Sequence, residues 1–327
     1  MQMMDSLYLT SEGILKREAN TIYFVNKDGK RALPIERITD IYCLGKVTLT
    51  SGVISYLLKY GVNVHFFNMY GYYEGSLFPR IRRVSGEVVI KQAEHYLNFN
   101  KRMYIAKEMV KGIKHNILNV LRYYRKKGRD VGEYMENIER VDLEKCGDIK
   151  TLMQKEGQMW SWFYKSFNVF IQGFEMKKRE YRPPADEINA MISFGNSLLY
   201  SSVLTEIYHT QLHPAISFLH EPSERRFSLA LDLADIFKPV IVERVITNLV
   251  NNRIITEEDF MKEAKVFLND SGKKKFLRAY DEKMRSTIYL QRLKRKVSHR
   301  ELLRLECYKL IKHIIGDKRY KSYKARW

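Results

Sequence analysis

The sequence predicts an α+β multidomain protein, with a small, mainly β domain at residues 1–85 and a larger all-α domain at residues 86–327. Three observations carry this prediction. The first ~80 residues hold short β-branched and aromatic runs between turn signals. From about Val89 onward, apolar residues recur every three or four positions instead. The length of 327 residues, 45% of them hydrophobic, is enough to bury a real core in one large or two ordinary domains.

The N-terminal part contains strand, turn and helix signals in close succession. NKDGK predicts a hairpin turn around Asp28 and Gly29. TSGVISYLLKY, residues 50–60, has helical spacing, with Thr50 or Ser51 as its N-cap. GVNVHFFN, residues 61–68, predicts a buried strand, and GYYEGSLFP predicts a turn and a further strand. This part is therefore expected to be mainly β with one short helix.

The remainder of the chain has helical periodicity. Residues 89–127 predict a long amphipathic helix, with a break expected near Gly112. A loop at Pro183 and Pro184 is followed by Asp186 as the cap of a long buried helix. The pattern from the 230s to the C-terminus predicts further helices.

The charge of the chain indicates a polyanionic partner. The protein has 57 Lys and Arg against 38 Asp and Glu, a net charge of +19. Residues 273–327 contain 19 Lys and Arg against 5 Asp and Glu, so this segment carries +14 of the total. Such a one-signed excess favours a phosphate-binding surface over an ordinary solvated helix face. Nucleic acid is the first expectation and an anionic membrane surface the second. The residues expected to contact DNA are Arg225, Arg226, Arg292, Lys294, Arg295 and Lys296.

Several classes of protein are disfavoured by the sequence. Three cysteines far apart (Cys43, Cys146 and Cys307) argue against a disulfide framework and suit a reducing cytoplasm. The N-terminus has no signal-peptide pattern, and no apolar run approaches the ~20 residues of a membrane helix. Phosphate-binding glycine loops and a GxSxG nucleophile motif are also missing from the sequence.

Four residues suggest a divalent-metal site. Glu156 lies in an apolar, aromatic helical segment, where burial of a carboxylate is costly unless it is paired or bound to a metal. His220 precedes Asp232 and Asp235, which are three residues apart and so share one helix face. A histidine nitrogen with carboxylate oxygens suits Mg²⁺ or Mn²⁺, and these metals assist phosphodiester chemistry.

Each of these residues also has a structural interpretation. Glu156 is equally compatible with an exposed helix face, His220 with a hydrogen-bonded core histidine, and the two aspartates with a helix N-terminus. A zinc site at His209 and His213 is a weaker alternative, because the intervening glutamate of HExxH and a nearby cysteine are both missing.

Several motifs together resemble those of the Cas1 family, the CRISPR-associated endonucleases and integrases that acquire spacers in prokaryotic adaptive immunity. They occur in the family's order and span nearly the whole chain. The resemblance is greatest to the branch found with type I systems. The matching stretches are GVNVHFFN, QAEHYLN, the EG pair at Glu156, RPPADEINAMISFGNSLLY, HPAISFLHE and FSLALDLADIFKPVIVERVI.

The resemblance implies both a site and a reaction. Glu156, His220 and Asp235 would be the catalytic residues and the ligands of Mg²⁺ or Mn²⁺, with Asp232 as a nearby helper. The 3′-hydroxyl of a prespacer would attack a phosphodiester at the CRISPR repeat. Family members form homodimers through the β domain, bind double-stranded DNA and assemble with Cas2.

Two other functions stay open at the level of sequence. One is a non-catalytic nucleic-acid-binding scaffold, in which the acidic residues serve only structure. The other is a repair nuclease that acts on branched DNA, which needs the same site and differs in its substrate.

Overall fold

The N-terminal part of the chain is built from β-strands and one helix, as predicted. The computed structural model describes residues 5–80, 85–180, 183–222, 227–262 and 265–326. Over residues 5–80 the strands form two four-stranded sheets, with orders β1-β5-β7-β8 and β4-β3-β2-β6. The elements are β1 (Asp5–Leu9), β2 (Gly13–Glu18), β3 (Thr21–Asn26), β4 (Gly29–Leu33), β5 (Ile38–Cys43), β6 (Val47–Leu49), α1 (Ser51–Lys59), β7 (Asn63–Phe67) and β8 (Tyr73–Leu77).

Local sequence signals account for several of these elements. Strands β3 and β4 form the predicted hairpin, in which Asn26 pairs with Gly29. Gly29 has a φ of +127°, a conformation that other residues rarely adopt. Thr50 caps α1 by accepting a hydrogen bond from the Val53 N–H. Strand β7 lies inside its sheet, between β5 and β8, so the buried strand expected at residues 61–68 is confirmed.

The C-terminal part is mainly helical. Asp186 caps the long buried helix that was predicted after the Pro183–Pro184 loop. No helix in the described ranges is both long and apolar enough to cross a lipid bilayer. The helices are α2 (Gly86–Leu97), α3 (Phe99–Lys126), α4 (Gly132–Glu139), α5 (Ile149–Lys165), α6 (Phe167–Phe170), α7 (Glu187–Tyr208), α8 (Ser228–Phe237), α9 (Val242–Asn251), α10 (Asp270–Arg285) and α11 (His299–Ile314).

The break in the long helical segment occurs at Asn98 rather than near Gly112, so that expectation is wrong. The Asn98 side chain accepts a hydrogen bond from the Lys101 N–H and starts α3. Gly112 lies inside α3, where it allows close packing instead of breaking the helix. A Cβ added there would lie 2.1 Å from Ser322 Oγ and 2.7 Å from Ser322 Cβ.

The expectation of helices alone from the 230s onward is also wrong, because two short hairpins interrupt them. These are β9 (Phe260–Lys262) with β10 (Val266–Leu268), and β11 (Thr287–Leu290) with β12 (Arg295–Ser298). The β11–β12 turn is tight, and Lys294 adopts a φ of +50° in it. That turn has no glycine or proline to signal it, which explains why the sequence did not predict it.

A buried polar network joins the strands to the helices. Asp40 of β5 accepts hydrogen bonds from Thr205 of α7 (2.9 Å) and Arg300 of α11 (2.7 Å). His65 of β7 contacts Thr205 Oγ1 at 2.9 Å. Burial would raise the pKa of Asp40, but the His65 hydrogen bond and the Arg300 charge hold it well below its usual range. The two parts therefore meet through an ordered interface, and the predicted division at residue 85 stays a prediction.

We expect Gly112→Ala to lower the free energy of unfolding by about 1–3 kcal/mol, because the added methyl group overlaps Ser322. Gly52→Ala is the matched control: Gly52 also lies in a helix, and an added Cβ meets no atom within 4 Å. That control is expected to stabilise the protein by about 0.5–1 kcal/mol. Urea denaturation gives the free energy of unfolding of both variants. Equal effects of the two substitutions would contradict the packing role of Gly112.

Candidate active site

Three of the predicted site residues meet in one cleft between the strands and the helices. The cleft has a volume of about 1670 Å³. One wall is β8 and the loop before it, and the other walls are α5, α7 and α8. Glu156, His220 and Asp235, which we call the carboxylate–histidine cluster, all line it. Residues that are 79 positions apart along the chain are thus brought to one surface.

Asp232 holds the loop that carries His220. Its Oδ2 accepts hydrogen bonds from the backbone N–H groups of Phe218 (2.7 Å) and Leu219 (3.0 Å). Its Oδ1 accepts from the His220 backbone N–H (2.9 Å) and contacts His220 Nδ1 at 2.8 Å. Asp232 is fully buried. These contacts fix the orientation of the imidazole and leave Nε2 towards Asp235, at 3.9 Å from its Oδ2.

The charge of Asp232 also decides the protonation of His220. Burial would lower the pKa of His220, but the hydrogen bond and negative charge of Asp232, with Asp235 and Glu156 nearby, raise it to about 9. His220 is therefore an imidazolium at neutral pH in the arrangement described. A metal ion would need the neutral ring, so metal binding at Nε2 would release a proton.

The two carboxylates of the cluster have different surroundings. Burial and the negative charge of Asp235 raise the pKa of Glu156 to about 7. Glu156 accepts a short hydrogen bond from Trp160 Nε1, one helical turn along α5. Asp235 forms an ion pair with Lys238, although its buried Oδ1 has no hydrogen bond of normal geometry. Lys238 therefore neutralises the carboxylate that a metal ion would otherwise neutralise.

By chemistry, the cluster suits a hard divalent cation, since it offers two carboxylates and one imidazole. The described side chains nevertheless include no group of three or more His, Cys, Asp or Glu already arranged around a common metal position. Trp160 Nε1 instead donates a hydrogen bond to Glu156, and Lys238 forms an ion pair with Asp235. The donor atoms fit Mg²⁺ or Mn²⁺, and the ion would replace Lys238 at Asp235.

Basic residues line the cleft beside the cluster, and sequence reasoning did not single them out. Lys165 lies at the end of α5, and the others lie in the loop between α6 and α7. The short basic run MKKR could have indicated the loop residues, but nothing in the sequence places it near Glu156. We call this group the cationic wall; it consists of Lys165, Lys177, Lys178 and Arg179.

The predicted DNA-binding cations lie elsewhere or outside the described residues. Arg292, Lys294, Arg295 and Lys296 are exposed on the β11–β12 hairpin, which we call the basic hairpin. They do not line the cleft, and Arg295 forms an ion pair with Glu301. Arg225 and Arg226 fall outside the residues that the structure describes, so their contact with DNA stays a prediction.

The alternative zinc pair does not form. Helix α7 ends at Tyr208, with His209 as its C-cap, so His213 lies beyond the helix. His209 contacts Arg304 at 3.0 Å, whereas the backbone N–H of His213 donates to Gln92 Oε1. The three cysteines are buried and unpaired, which agrees with the expected lack of a disulfide framework.

Comparison with known proteins identifies the family. The family model described as "CRISPR associated protein Cas1" matches residues 7–282. The chain belongs to the Cas1 family. It is 48% identical over 322 residues to a CRISPR-associated protein Cas1 of Methanobrevibacter ruminantium, covering 98% of each chain. It is 45% identical to a CRISPR-associated endonuclease Cas1 of Thermodesulfovibrio yellowstonii, covering 99% of this chain and 100% of the relative.

Solved structures confirm the fold. A Cas1 protein from Thermotoga maritima superimposes with a TM-score of 0.87 at 39% identity, covering 98% of this chain and 100% of the other. A casposase bound to an integration product gives 0.88 at 18% identity, with 99% and 95% covered. The Cas6-RT-Cas1–Cas2 complex gives 0.84 at 17% identity, with 100% of this chain and 37% of the other covered. At such low identity, the last two show the fold alone.

We expect Asp232→Asn to change how stability depends on pH in metal-free protein. His220 has a folded-state pKa near 9 against about 6.5 when unfolded, so its contribution is complete below pH 6.5 and is lost as the pH rises through 9. That loss amounts to at most about 3 kcal/mol. Replacing the Asp232 charge lowers the His220 pKa and flattens this decline. The measurement is the free energy of unfolding of both proteins, obtained by urea denaturation from pH 6 to 9.5 in the presence of EDTA.

Asp186→Asn is the matched control. Like Asp232, Asp186 is a carboxylate that accepts a hydrogen bond from a backbone N–H, in this case that of Asn189 at 2.7 Å. It is expected to lower stability while keeping the wild-type decline above pH 6.5. A decline in Asp232→Asn as steep as that of the wild type would refute the coupling.

Proposed function

We propose that this Cas1 family member is a metal-dependent DNA endonuclease and integrase of CRISPR spacer acquisition, which joins prespacer 3′-hydroxyl ends to the CRISPR array by transesterification. The observation that carries the proposal is the carboxylate–histidine cluster in a cleft that also contains the cationic wall. Relatives over 40% identical are named CRISPR-associated endonucleases. A casposase bound to an integration product has the same fold, so strand transfer is compatible with this fold.

The reaction suits the residues present. In transesterification the attacking hydroxyl belongs to DNA, so no protein nucleophile is required. Glu156, His220 Nε2 and Asp235 would hold Mg²⁺ or Mn²⁺, which when bound activates the attacking oxygen and stabilises the charge that develops on the phosphate. Asp232 keeps the imidazole in position through Nδ1. Lys238 is close enough to neutralise Asp235 when the cation is not bound.

The cationic wall would position the phosphate backbone. Lys177 and Lys178 are exposed, so their ammonium groups can reach a backbone in the cleft. Arg179 is held by hydrogen bonds to Asn189 (2.7 Å) and Ser193 (3.2 Å). A guanidinium fixed in this way can donate to a phosphate with little loss of side-chain entropy.

We also propose that the partners are double-stranded DNA, Cas2 and a second copy of this chain. Similarity to the Cas1–Cas2 complex supports the assembly with Cas2. Strand β4 is an edge strand and is exposed except at Leu33, so it offers unpaired backbone groups for self-association. Sedimentation velocity at micromolar concentration is expected to show a dimer, and a monomer at that concentration would contradict the proposal.

We expect Glu156→Ala, His220→Ala and Asp235→Ala each to reduce plasmid nicking and strand transfer at least about a hundredfold, because each removes a metal ligand. DNA binding is expected to survive, since the cations lie outside the cluster. Gln158→Ala, at an exposed position on α5, is the matched control. The measurements are a nicking and strand-transfer assay with Mn²⁺ and a gel-shift assay on the same proteins.

The outcomes separate the alternatives. Full activity in His220→Ala would refute the site. DNA binding by the wild type without any cleavage would favour a non-catalytic scaffold. Cleavage of branched DNA without strand transfer into repeat DNA would favour the repair nuclease.

We expect the basic hairpin to bind DNA through phosphates, independently of sequence. The affinity of the wild type should fall with salt, with a log–log slope near −0.9 for each duplex phosphate contacted. Replacing Arg292, Lys294, Arg295 and Lys296 together by Ser should make the slope shallower on unrelated sequences. The control removes the same charge from exposed residues of the N-terminal part outside β4: Lys16, Lys27, Lys46 and Lys59. Equal slopes for the two variants would contradict a specific role of the hairpin.

A further inference from the structure

The last residues of the described chain form an irregular segment in which four side chains are buried. Residues 317–326, which we call the C-terminal tail, contain no helix or strand. Tyr320 and Ala325 are nevertheless almost completely buried, as are Ser322 and Tyr323 to a slightly lesser degree. Such burial of irregular backbone requires hydrogen-bond partners for its polar groups. Helix α3 supplies hydrogen bonds to the backbone of Tyr320, Tyr323 and Ala325, and α11 supplies others to Lys321 and Tyr323.

One buried side chain connects the tail to the helix that carries Asp235. Asn116 of α3 is fully buried. Its Oδ1 accepts from the Ala325 N–H at 2.8 Å, and its Nδ2 donates to Tyr323 O at 3.3 Å. The same Nδ2 donates to Ile236 O at 2.8 Å. Ile236 follows Asp235 directly in α8, so one amide joins α3, the tail and the last turn of α8.

A second contact reaches the same turn. The ring of Tyr323 stacks on Phe237, with centroids 5.2 Å apart and planes 15° from parallel. Phe237 is the last residue of α8 and is fully buried. Helix α3 also packs against α5, which carries Glu156. Helix α3 therefore packs against both helices that carry carboxylates of the cluster, α5 and α8. Helix α8, which carries Asp235, additionally contacts the tail.

We propose that the C-terminal tail, acting through Asn116 and Tyr323, positions the last turn of α8 and thereby the Asp235 carboxylate relative to Glu156 and His220. Asn116 and Tyr323 are positioning residues, since neither lines the cleft. The proposal rests on the proposed nuclease function for its kinetic consequence, but the support of α8 itself can be measured in the absence of metal and DNA.

The chain provides a matched control on the other side of the tail. Tyr320 donates a hydrogen bond to Glu306 of α11 at 2.6 Å. Tyr320→Phe removes this attachment, while the Tyr323 N–H still donates to the same Glu306 Oε1 at 3.0 Å, so the contacts with Asn116 and Phe237 are expected to remain. It is expected to lower thermal stability, because Glu306 is buried and loses a donor, while leaving α8 in place.

The test compares Asn116→Ala and Tyr323→Leu with Tyr320→Phe in the full-length protein, at a temperature where all are folded. Both positioning variants should lower kcat for Mn²⁺-dependent nicking at least about tenfold, since small misplacements of reacting groups are costly. KM and the gel-shift affinity should stay unchanged. Metal-free hydrogen–deuterium exchange should show faster uptake in residues 228–240. Tyr320→Phe should retain the kcat and the exchange of the wild type, as should Tyr323→Phe, which keeps the ring stacking.

The proposal is overturned if kcat falls equally in all variants of equal stability, or if the positioning variants keep the wild-type kcat. Should Asn116→Ala fail to fold, Tyr323→Leu and its rescue by phenylalanine decide the outcome. Wild-type protein without nicking activity would refute the proposed function instead, while unchanged exchange in residues 228–240 would independently refute the support of α8.

Discussion

Asp232 is a buried carboxylate whose two oxygens accept hydrogen bonds from three consecutive backbone N–H groups and contact one imidazole. Each of these donors would be costly to leave unpaired in a dry interior. The carboxylate therefore determines the path of the loop at residues 218–220 and the orientation of His220 together. Because Asp232 lies three residues before Asp235 on α8, the same helix also sets the second acidic group of the cluster.

The position of that helix depends in turn on α3, the longest helix over the described ranges. One side of α3 packs on α5 and α8, and another receives the C-terminal tail at Gly112 and Asn116. Gly112 lies where the tail packs closely against α3. Asn116 lies where α3, the tail and α8 meet, and its amide bonds to both of the other segments. Residues far from the cleft along the chain thus hold its carboxylates in place.

Opposing charges are arranged to suit a polyanionic substrate. The cluster concentrates negative charge: burial and the charge of Asp235 raise the pKa of Glu156, and the surrounding carboxylates raise that of His220 against the effect of burial. Lys238 neutralises part of this charge. Around it, the cationic wall would attract the phosphates of the proposed DNA substrate, which the cluster alone would repel. A divalent cation at the cluster would remove this repulsion at the point where a phosphodiester must approach.

Local sequence was enough to predict the change from strands to helices, the hairpin at Gly29, the caps at Thr50 and Asp186, and the candidacy of Glu156, His220, Asp232 and Asp235. These follow from local backbone preferences and from residue chemistry, which act over a few positions. Tertiary structure alone decided that Asp232 binds the His220 loop, that Lys177 and Lys178 face the cleft, and that Gly112 packs against the tail instead of breaking α3. It also decided the β11–β12 hairpin, whose turn carries no glycine. The hairpin is local, but its turn has no residue that signals it. The other features depend on contacts between residues that are 12 or more positions apart, and the spacing of residues along a chain does not encode those contacts.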